Sequence, residues 1–317
     1  MEKISAIIPL YNQKEFISQA VESLLKQSYK NVEIIVVNDG STDNPFSELK
    51  KYREDILLIN QDNKGLSAAR NTGIKHAKGD YIQFLDADDF LHPDKLKLQL
   101  DFMMMKESRV SYCEINQFCD ATNHSYLRYI GPVSDIFSHL YNTWFSYPLP
   151  IHSLLFKKEI FDEYGGFLDN LKAAEDRYFL SLLALSGERF DYFPFIGGGR
   201  RLHDNNMNTN RSHIYDNMIK YYKLIENNEK AIKYFDQNVR FTCHQMMQAN
   251  MTYYYIHDIA AGIGLYELLK IRSKLRSCGI SYYVEPIPNF MNINKWFPIT
   301  SVLNRFKNKL ISVLKKA

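Results

Sequence analysis

The sequence has few cysteines, no glycine-rich phosphate loop and no long apolar run, and each absence excludes a class of protein. No CxxC spacing is present, which argues against a zinc site and a disulfide framework and favours reduced thiols in a cytosolic protein. The four cysteines are Cys113, Cys119, Cys243 and Cys278. Neither GxGxxG after the first apolar run nor GxxxxGK[ST] occurs, so a dinucleotide dehydrogenase and a P-loop NTPase are not indicated.

The net charge is small and the apolar runs are short, and both exclude further classes of protein. A formal net charge of +3 over 317 residues is too small to suggest nucleic acid as a partner. The first ten residues lack the architecture of a signal peptide, and no apolar run is long enough to cross a bilayer. We therefore expect a cytoplasmic protein that is soluble or peripheral on the membrane, with a length that allows two domains.

Strand-like and helix-like patterns alternate over the first 110 residues. Short β-branched or aromatic runs predict strands, and amphipathic stretches between them predict helices. The predicted strands are Ile4–Leu10 (interrupted at Pro9), Val32–Val37, Ile56–Asn60 and Tyr81–Leu85. Such alternation predicts an α/β fold whose sheet is mainly parallel and has helices on both faces.

The pattern is less regular after residue 110. Apolar runs at 110–118, 154–156 and 190–196 predict further strands, whereas residues 119–150 are rich in Tyr, Ser and Pro and predict an irregular segment. An apolar helix is expected to begin at Glu175. The glycines at 197–199 predict a flexible run that leads to Arg200, Arg201 and His203.

The most informative stretch runs from Gly79 to Pro93. Its apolar strand ends in three acids within four residues, Asp86, Asp88 and Asp89. Three neighbouring carboxylates repel one another, so a divalent cation that also holds phosphate oxygens would stabilise them. The alternative is a solvated acidic turn before a helix that begins at Pro93.

Three segments that contain polar residues lie at the carboxyl ends of the first, second and fourth predicted strands. They are Pro9-Leu10-Tyr11-Asn12, Asp39 and Asp86-Ala87-Asp88-Asp89. Ligands of open α/β sheets bind beyond the carboxyl ends of the strands. We expect these three segments to meet in one crevice, where carboxylates, an arginine and a metal would hold the ligand.

The order of motifs resembles that of the family-2 glycosyltransferases with the GT-A fold. The motifs are Ile-Ile-Pro-Leu-Tyr-Asn at 7–12, Val-Val-Asn-Asp-Gly-Ser-Thr-Asp at 36–43, Gly-Leu-Ser-Ala-Ala-Arg-Asn-Thr-Gly at 65–73, Phe-Leu-Asp-Ala-Asp-Asp at 84–89, Ala-Glu-Asp at 174–176 and Arg-Leu-His at 201–203. The resemblance covers residues 3–210 and implies inverting transfer of a sugar from a nucleotide donor, usually UDP-linked, to an acceptor hydroxyl.

The resemblance also implies which residues bind the donor. Pro9, Leu10, Tyr11 and Asn12 would line the base pocket, partly through backbone. Asp39 would accept the imide N–H of uracil, a donor that cytosine does not offer.

The third motif, at 65–73, extends this donor set. Gly65 opens the third motif, and Arg70 would contact the uracil end of the nucleotide; the alternative for Arg70 is a surface helix charge.

The aspartate motif and the distal histidine are implied to hold the diphosphate. Asp86 would bind the ribose, with Ala87 beside it, and Asp88 would coordinate Mn²⁺ or Mg²⁺. His203 would be a second metal ligand, since imidazole suits manganese better than magnesium. The alternative for His203 is a polar surface histidine.

The resemblance implies one general base on the acceptor side. Asp176 matches that position and is preferred to Glu175, although acids in a first helical turn are often only partners of the helix dipole. Asp191, at the start of a predicted strand, is a separate possibility.

The expected domains are a catalytic domain at 1–215, with a nucleotide-sugar half at 1–110 and an acceptor half at 111–215, and a helical region at 216–317. From Lys295 onward there are six Lys or Arg and no acid, and apolar residues recur on one helical face. A basic amphipathic helix fits an anionic membrane surface. Packing on the protein, or on a second copy in a homodimer, is the alternative.

These features together predict a hexosyl- or N-acetylhexosaminyltransferase that uses a UDP-sugar and a divalent cation. The expected acceptor is a glycan or a lipid-linked oligosaccharide, in the synthesis of bacterial capsule, lipooligosaccharide or O-antigen. A sugar-nucleotide pyrophosphorylase would need a glycine- and lysine-rich loop after the first strand, which Pro9-Leu10-Tyr11-Asn12 is not. The remaining alternative is a nucleotide-sugar-binding module without catalysis.

Overall fold

A computed structural model describes residues 2–119, 124–128, 130–142, 149–203, 211–238 and 251. By its internal contacts the chain divides into two units, Met1–Thr209 and Asn210–Ala317. The predicted boundary after residue 215 lies within the first helix of the second unit. The basic segment predicted from residue 295 onward lies outside the described residues.

The first unit alternates strands and helices in its first half, as predicted. The strands are β1 (Ile4–Leu10), β2 (Val32–Asp39), β3 (Ile56–Gln61), β4 (Tyr81–Phe84), β5 (Phe90–Leu91), β6 (Val110–Cys119), β7 (His124–Arg128), β8 (Leu154–Lys157) and β9 (Phe190–Arg201). The helices are α1 (Lys14–Leu25), α2 (Phe46–Leu49), α3 (Leu66–His76), α4 (Lys95–Lys106), α5 (Ile136–Asn142), α6 (Glu159–Tyr164) and α7 (Glu175–Leu185). Short 3-10 turns occupy Lys50–Tyr52 and Ile151–Ser153.

All of these strands join one sheet in the order β3-β2-β1-β4-β8-β6-β9-β5, with β7 on β6. The pairs among β3, β2, β1 and β4 are parallel, and β8 enters antiparallel to both β4 and β6. The predicted parallel arrangement therefore describes the first half of the sheet. The second half is mixed, because β6 and β9 are parallel while β5 runs antiparallel to β9.

Alternation along the strands fills both faces of the sheet. Ile7, Ile35 and Val37 pack into one apolar cluster with α3, α6 and α7, and Ile8 and Val36 pack into another with α1 and α4. Neighbouring residues of one strand thus support opposite layers. This two-sided packing fixes where each strand ends, and so where the polar residues after it lie.

Three expectations about local structure were wrong. β1 continues through Pro9, which stands opposite Val37 although it cannot donate to the ladder. The segment 119–150, expected to be irregular, contains β7 and α5. The expected flexible glycines at 197–199 lie within β9, opposite Phe90 and Leu91 of β5.

The second unit is described over two helices, α8 (Arg211–Glu226) and α9 (Glu229–Asn238). In α8 the side chains of Tyr215, Tyr221, Tyr222 and Ile225 are fully buried. No helix in the described part of the chain is both long and apolar enough to cross a bilayer.

Candidate active site

Three strand ends bring the predicted residues to one edge of the sheet. Because β2, β1 and β4 are parallel neighbours, Asp39, Tyr11-Asn12 and the acidic turn Asp86–Asp89 follow carboxyl ends that lie side by side. Pro9 and Leu10 are buried in the sheet, so only their backbone can face a ligand, whereas the side chain of Tyr11 is 47 % exposed.

The loops after β1 and β2 are tied to each other. The Asn12 backbone N–H donates to Oγ of Ser41 over 3.1 Å, and the Asn12 side-chain oxygen accepts the Thr42 N–H over 2.8 Å. Asn12 has a φ of 53°, in the left-handed region that asparagine tolerates better than most residues. These bonds hold the loops after β1 and β2 together at this edge of the sheet and engage the Asn12 side chain within the protein.

Asp39 is buried at the end of β2 and accepts three hydrogen bonds. Oδ1 accepts from Nε2 of Gln61 at 2.7 Å and from the Lys64 N–H at 2.9 Å, and Oδ2 accepts from the Gly65 N–H at 2.8 Å. An ionised carboxylate offers about four lone-pair sites, so Oδ2 retains one for a further donor. Gly65 itself has a φ of 94°, which explains glycine at this turn.

Arg70 is buried between two carboxylates and is not the surface charge considered as an alternative. Its Nη1 donates to Oε1 of Glu175 over 2.7 Å, and its Nη2 donates to Oδ1 of Asp86 over 2.8 Å. Its side chain is only 2 % exposed, and the guanidinium lies over the ring of Phe167. Arg70 therefore connects the turn after β4 to the first turn of α7.

Burial and neighbouring charges shift the pKa values of the two carboxylates that Arg70 joins. Burial would raise the pKa of Asp86, but the Arg70 charge and hydrogen bond hold it below its usual range. Burial, with the neighbouring Asp176 charge, raises the pKa of Glu175 to about 7 despite its bond to Arg70. Asp86 is thus a stable anion, and about one-third of its side chain is exposed.

Asp88 and His203 contact each other at the carboxyl-end edge of the sheet. Nε2 of His203 lies 3.0 Å from Oδ2 of Asp88, and each side chain is about 15 % exposed. His203 also stacks on the ring of Phe16, 4.9 Å between ring centres. The sequence separates the two residues widely, and β9 brings them together.

Asp89 and Arg201 join the acidic turn to the end of β9 and so hold Asp88 near His203. Oδ1 of Asp89 accepts the Arg201 backbone N–H over 2.8 Å, and Nε of Arg201 donates to the Asp88 carbonyl oxygen over 3.1 Å. The Arg201 guanidinium lies between the rings of Phe16 and Phe118, 4.7 and 4.6 Å from their centres. The acidic turn is thereby fixed to the end of β9, two residues before His203.

His152 is a site residue that sequence reasoning missed. It lies just before β8, and its Nδ1 is 3.1 Å from Oδ2 of Asp89 without the angles of a hydrogen bond. Burial lowers the pKa of His152 to about 4, so it is neutral near pH 7. No motif marked it, because its connection to the acids exists only through the pairing of β4 with β8.

The donor atoms at this edge suit a divalent cation. Burial and the adjacent Asp86 raise the pKa of Asp88, so a cation would relieve a charge that the protein itself disfavours. A carboxylate oxygen and an imidazole nitrogen 3.0 Å apart fit neighbouring ligands of one manganese ion. A second group, Asp86, Asp89 and His152, has ligand atoms within 4.8 Å of one another.

The first turn of α7 presents two acids with different surroundings. Glu175 is 4 % exposed and bound to Arg70, whereas Asp176 is half-buried and its Oδ1 accepts the Arg177 N–H over 2.6 Å. Ala174, just before them, has a φ of 64°, a conformation that alanine adopts only under strain. Of the two carboxylates, Asp176 is the one open to an incoming hydroxyl.

Asp191 lies away from this edge, at the start of β9. It accepts from Oγ of Ser108 over 2.5 Å and from Nε of Arg189 over 2.8 Å. The carboxyl end of β9 carries Arg201, so Asp191 and the acidic turn belong to opposite ends of that strand. Asp191 is a structural residue.

Comparison with known proteins agrees with this architecture. The model of the family described as "Glycosyl transferase family 2" matches residues 5–175, which is more than half of the chain. Among curated relatives, glycosyltransferase GlyA of Streptococcus pneumoniae serotype 4 is 32 % identical over 205 residues, covering 60 % of this chain and 29 % of GlyA.

A second relative is the Escherichia coli protein WfaP. It is named as a UDP-Glc:alpha-D-GlcNAc-diphosphoundecaprenol beta-1,3-glucosyltransferase and is 42 % identical over 114 residues. The match covers 35 % of this chain and 45 % of WfaP. The matches thus span less than half of either curated relative.

Solved structures share the fold. S. aureus TarS 1-349 in complex with UDP-GlcNAc superposes with a TM-score of 0.61 at 19 % identity, covering 87 % of this chain and 80 % of that one. The mannosyltransferase PcManGT of Pyrobaculum calidifontis, in complex with GDP-Man and Mn²⁺, has a TM-score of 0.57 at 17 % identity, covering 97 % and 86 %. The fold is therefore the GT-A α/β fold, and the chain belongs to glycosyl transferase family 2.

Proposed function

We propose that this chain is an inverting, metal-dependent glycosyltransferase that moves a sugar from a UDP-sugar to a hydroxyl of a glycan or lipid-linked acceptor. The observation that carries the proposal is that β2 ends at Asp39, the turn after the parallel strand β4 contains Asp88, and Arg70 joins that turn to the first turn of α7, which contains Asp176. A base-binding acid, a metal-binding acid and a general base are the three groups that this reaction needs.

The hydrogen bonds of Asp39 favour uracil as the base of the donor nucleotide. Its three internal hydrogen bonds hold the carboxylate rigidly, and the remaining acceptor site on Oδ2 suits one N–H donor. The imide N–H of uracil is such a donor, whereas cytosine would place an acceptor against the carboxylate. Pro9, Leu10, Tyr11 and Asn12 would border the base, with Tyr11 as the exposed ring.

Asp88 and His203 are the residues that we assign to the cation, Mn²⁺ or Mg²⁺. When bound, the cation supplies positive charge beside the diphosphate as the glycosidic bond breaks. Asp86, held as an anion by Arg70, would accept from the ribose hydroxyls, and Gly65 and Ala87 would let the nucleotide approach the backbone. Arg70 would act on the nucleotide mainly through Asp86, since its side chain is only 2 % exposed and is held between Asp86 and Glu175.

Asp176 would take the proton from the acceptor hydroxyl as that oxygen attacks the anomeric carbon. A single displacement inverts the configuration and needs one base on the side opposite the leaving group. Glu175 cannot do this, because its carboxylate is buried against Arg70. Its role is to hold the first turn of α7.

The acceptor and the cellular role rest on relatives. WfaP is named for a diphosphoundecaprenol-linked substrate, which supports a lipid-linked acceptor and a role in bacterial surface polysaccharide. Such an acceptor lies at a membrane, and the basic segment from residue 295 onward would then bind the inner face of that membrane.

Sedimentation with vesicles tests the membrane contact. Binding should require anionic lipid and should fall on the order of 100-fold when Lys309, Lys315 and Lys316 become Ser. Binding unaffected by these changes would contradict the proposed contact.

Nucleotide affinity tests the donor site. Calorimetric titration with UDP, CDP and GDP, each with Mn²⁺ or EDTA, should show that UDP binds at least about tenfold more tightly than the others and only with metal. Asp88→Asn should weaken UDP binding at least about tenfold. Asp55→Asn, an exposed acid in the turn before β3, is the matched control and should change nothing. Binding that ignores both metal and Asp88 would overturn the assignment.

A further inference from the structure

One face of α3 is bonded to the segment that leads into α7. Ser67, Arg70 and Asn71 stand at positions i, i+3 and i+4, so their side chains lie on the same side of the helix. Oγ of Ser67 donates to the Leu171 carbonyl oxygen over 3.3 Å, and Arg70 bonds Glu175. These contacts reach across about one hundred residues of sequence, from the nucleotide half to the acceptor half.

Asn71 makes the most specific of these contacts. Its Nδ2 donates to the Phe167 carbonyl oxygen over 2.7 Å, and its Oδ1 accepts the Phe167 N–H over 2.9 Å. Only a side chain that carries both a donor and an acceptor can pair with one residue's backbone in this way. A side chain at Gly166 would collide with Oδ1 of Asn71, so the neighbouring glycine preserves the pair.

The same segment also contacts the proposed base pocket. Nζ of Lys172 donates to the Lys64 carbonyl oxygen over 2.9 Å, in the turn whose N–H groups donate to Asp39. The segment 167–174, which we call the bridging segment, is therefore held at its start by Asn71, in its middle by Ser67 and near its end by Lys172. Asp176 follows it by two residues.

We propose that Asn71 is a positioning residue for the glycosyl transfer. Its two bonds fix the start of the bridging segment, and the segment in turn fixes where the first turn of α7 holds Asp176. The inference rests on the proposed function, because it assigns Asn71 to the placement of the proposed base. A displacement of about 1 Å at a reacting group can lower a rate by about 100-fold.

The test is a double-mutant cycle in the full chain. Asn71→Asp keeps the acceptor but loses the donor, and we expect kcat for sugar transfer to fall about 10- to 100-fold with the Kd of UDP and Mn²⁺ unchanged within about threefold. If Asn71 acts through Asp176, the variant with both Asn71→Asp and Asp176→Asn should be no slower than Asp176→Asn alone. Rate losses that multiply would overturn the proposal, as would an unchanged kcat in Asn71→Asp.

A matched variant separates positioning from a loss of stability. Arg109 forms ion pairs with Glu159, Glu163 and Glu188 at the end of the sheet remote from Asp88. Arg109→Ala should lower the melting temperature without lowering kcat; an equal loss of kcat there would make the effect of Asn71→Asp a stability effect and overturn the proposal. If Asn71→Asp does not fold, Asn71→Ser takes its place in the cycle, with the same criteria.

Different results would contradict Asp176 as the base and Asn71 as the positioning residue. If Asp176→Asn transfers sugar at the wild-type rate, the proposed base is wrong. If Asp176→Asn is slow and the Asn71 cycle is multiplicative, the base stands and the positioning role falls.

Discussion

At the scale of single residues, the site is organised around the buried Arg70, which forms ion pairs with two carboxylates. Arg70 lies between Asp86 and Glu175, and the neighbouring charges raise the pKa of Arg70 above its ordinary value although burial opposes this. A guanidinium suits this place because its planar fork can address two carboxylates at once. Removal of one bond would leave a buried charge without its partner.

Replacement of Arg70 by lysine should therefore be costly. An ammonium is a single point donor group, so Arg70→Lys loses one of the two ion pairs, and we expect the free energy of unfolding to fall by about 3 kcal/mol. Arg53→Lys is the control, since Arg53 and Glu54 form an exposed pair. Urea denaturation measures both, and equal stabilities of Arg70→Lys and wild type would contradict the account.

The sequence predicts part of this arrangement. The spacing of Asp86, Asp88 and Asp89 predicts a metal site, and the resemblance to family-2 glycosyltransferases implies that Asp176 is the base. The bond between Arg70 and Glu175 was not predicted, because it joins residues far apart in sequence and no local pattern signals it. His152 was missed for the same reason.

At the scale of elements, β9 is the strand that completes the site. It carries Arg201 at its end and leads to His203, and its pairing with β5 holds both beside the acidic turn. Three consecutive glycines ordinarily predict a flexible loop. Here they lie in a strand that pairs with β5 and β6. Glycine is needed because Cys113 and Lys95 at position 197, the Phe90 backbone at 198 and the Phe90 ring at 199 occupy the space of a side chain.

A methyl group in this strand should break the pairing. A Cβ at Gly198 would overlap the carbonyl oxygen of Phe90, so Gly198→Ala should lower the free energy of unfolding by about 2–4 kcal/mol and weaken Mn²⁺ binding. Gly165→Ala is the comparison, since its φ of 76° is strained for alanine but no atom lies within 4 Å of the new methyl. We expect that change to cost about 1 kcal/mol and to leave metal affinity unaltered. A smaller loss in Gly198→Ala than in Gly165→Ala would contradict the steric explanation.

At the scale of the whole molecule, the first half of the fold was largely predictable and the second was not. Strands β1 to β4 alternate with helices, and that alternation predicts parallel neighbours with few alternatives. The strands β5 to β9 join by antiparallel and bulged pairings, which depend on contacts distant in sequence. The neighbouring positions of the ends of β1, β2 and β4 were predicted because these strands belong to the regular half.

We propose that this chain joins nucleotide binding on the first half of the sheet to transfer of the acceptor's proton to Asp176 on α7. Asp176→Asn separates these functions, because the amide keeps the shape of the side chain but cannot take a proton. Asp176 belongs to the proposed acceptor half, so we expect that UDP affinity does not depend on its charge.

The measurement that tests this claim most directly is the rate of UDP release from a panel of UDP-sugars with Mn²⁺ and a lipid-linked glycan acceptor. We predict turnover of one donor by the wild type, a fall of about 100- to 10,000-fold in Asp176→Asn, and UDP affinity unchanged within about twofold. Full activity in Asp176→Asn would contradict the assigned base. Metal-dependent UDP binding without turnover of any donor and acceptor would instead identify a nucleotide-sugar-binding module.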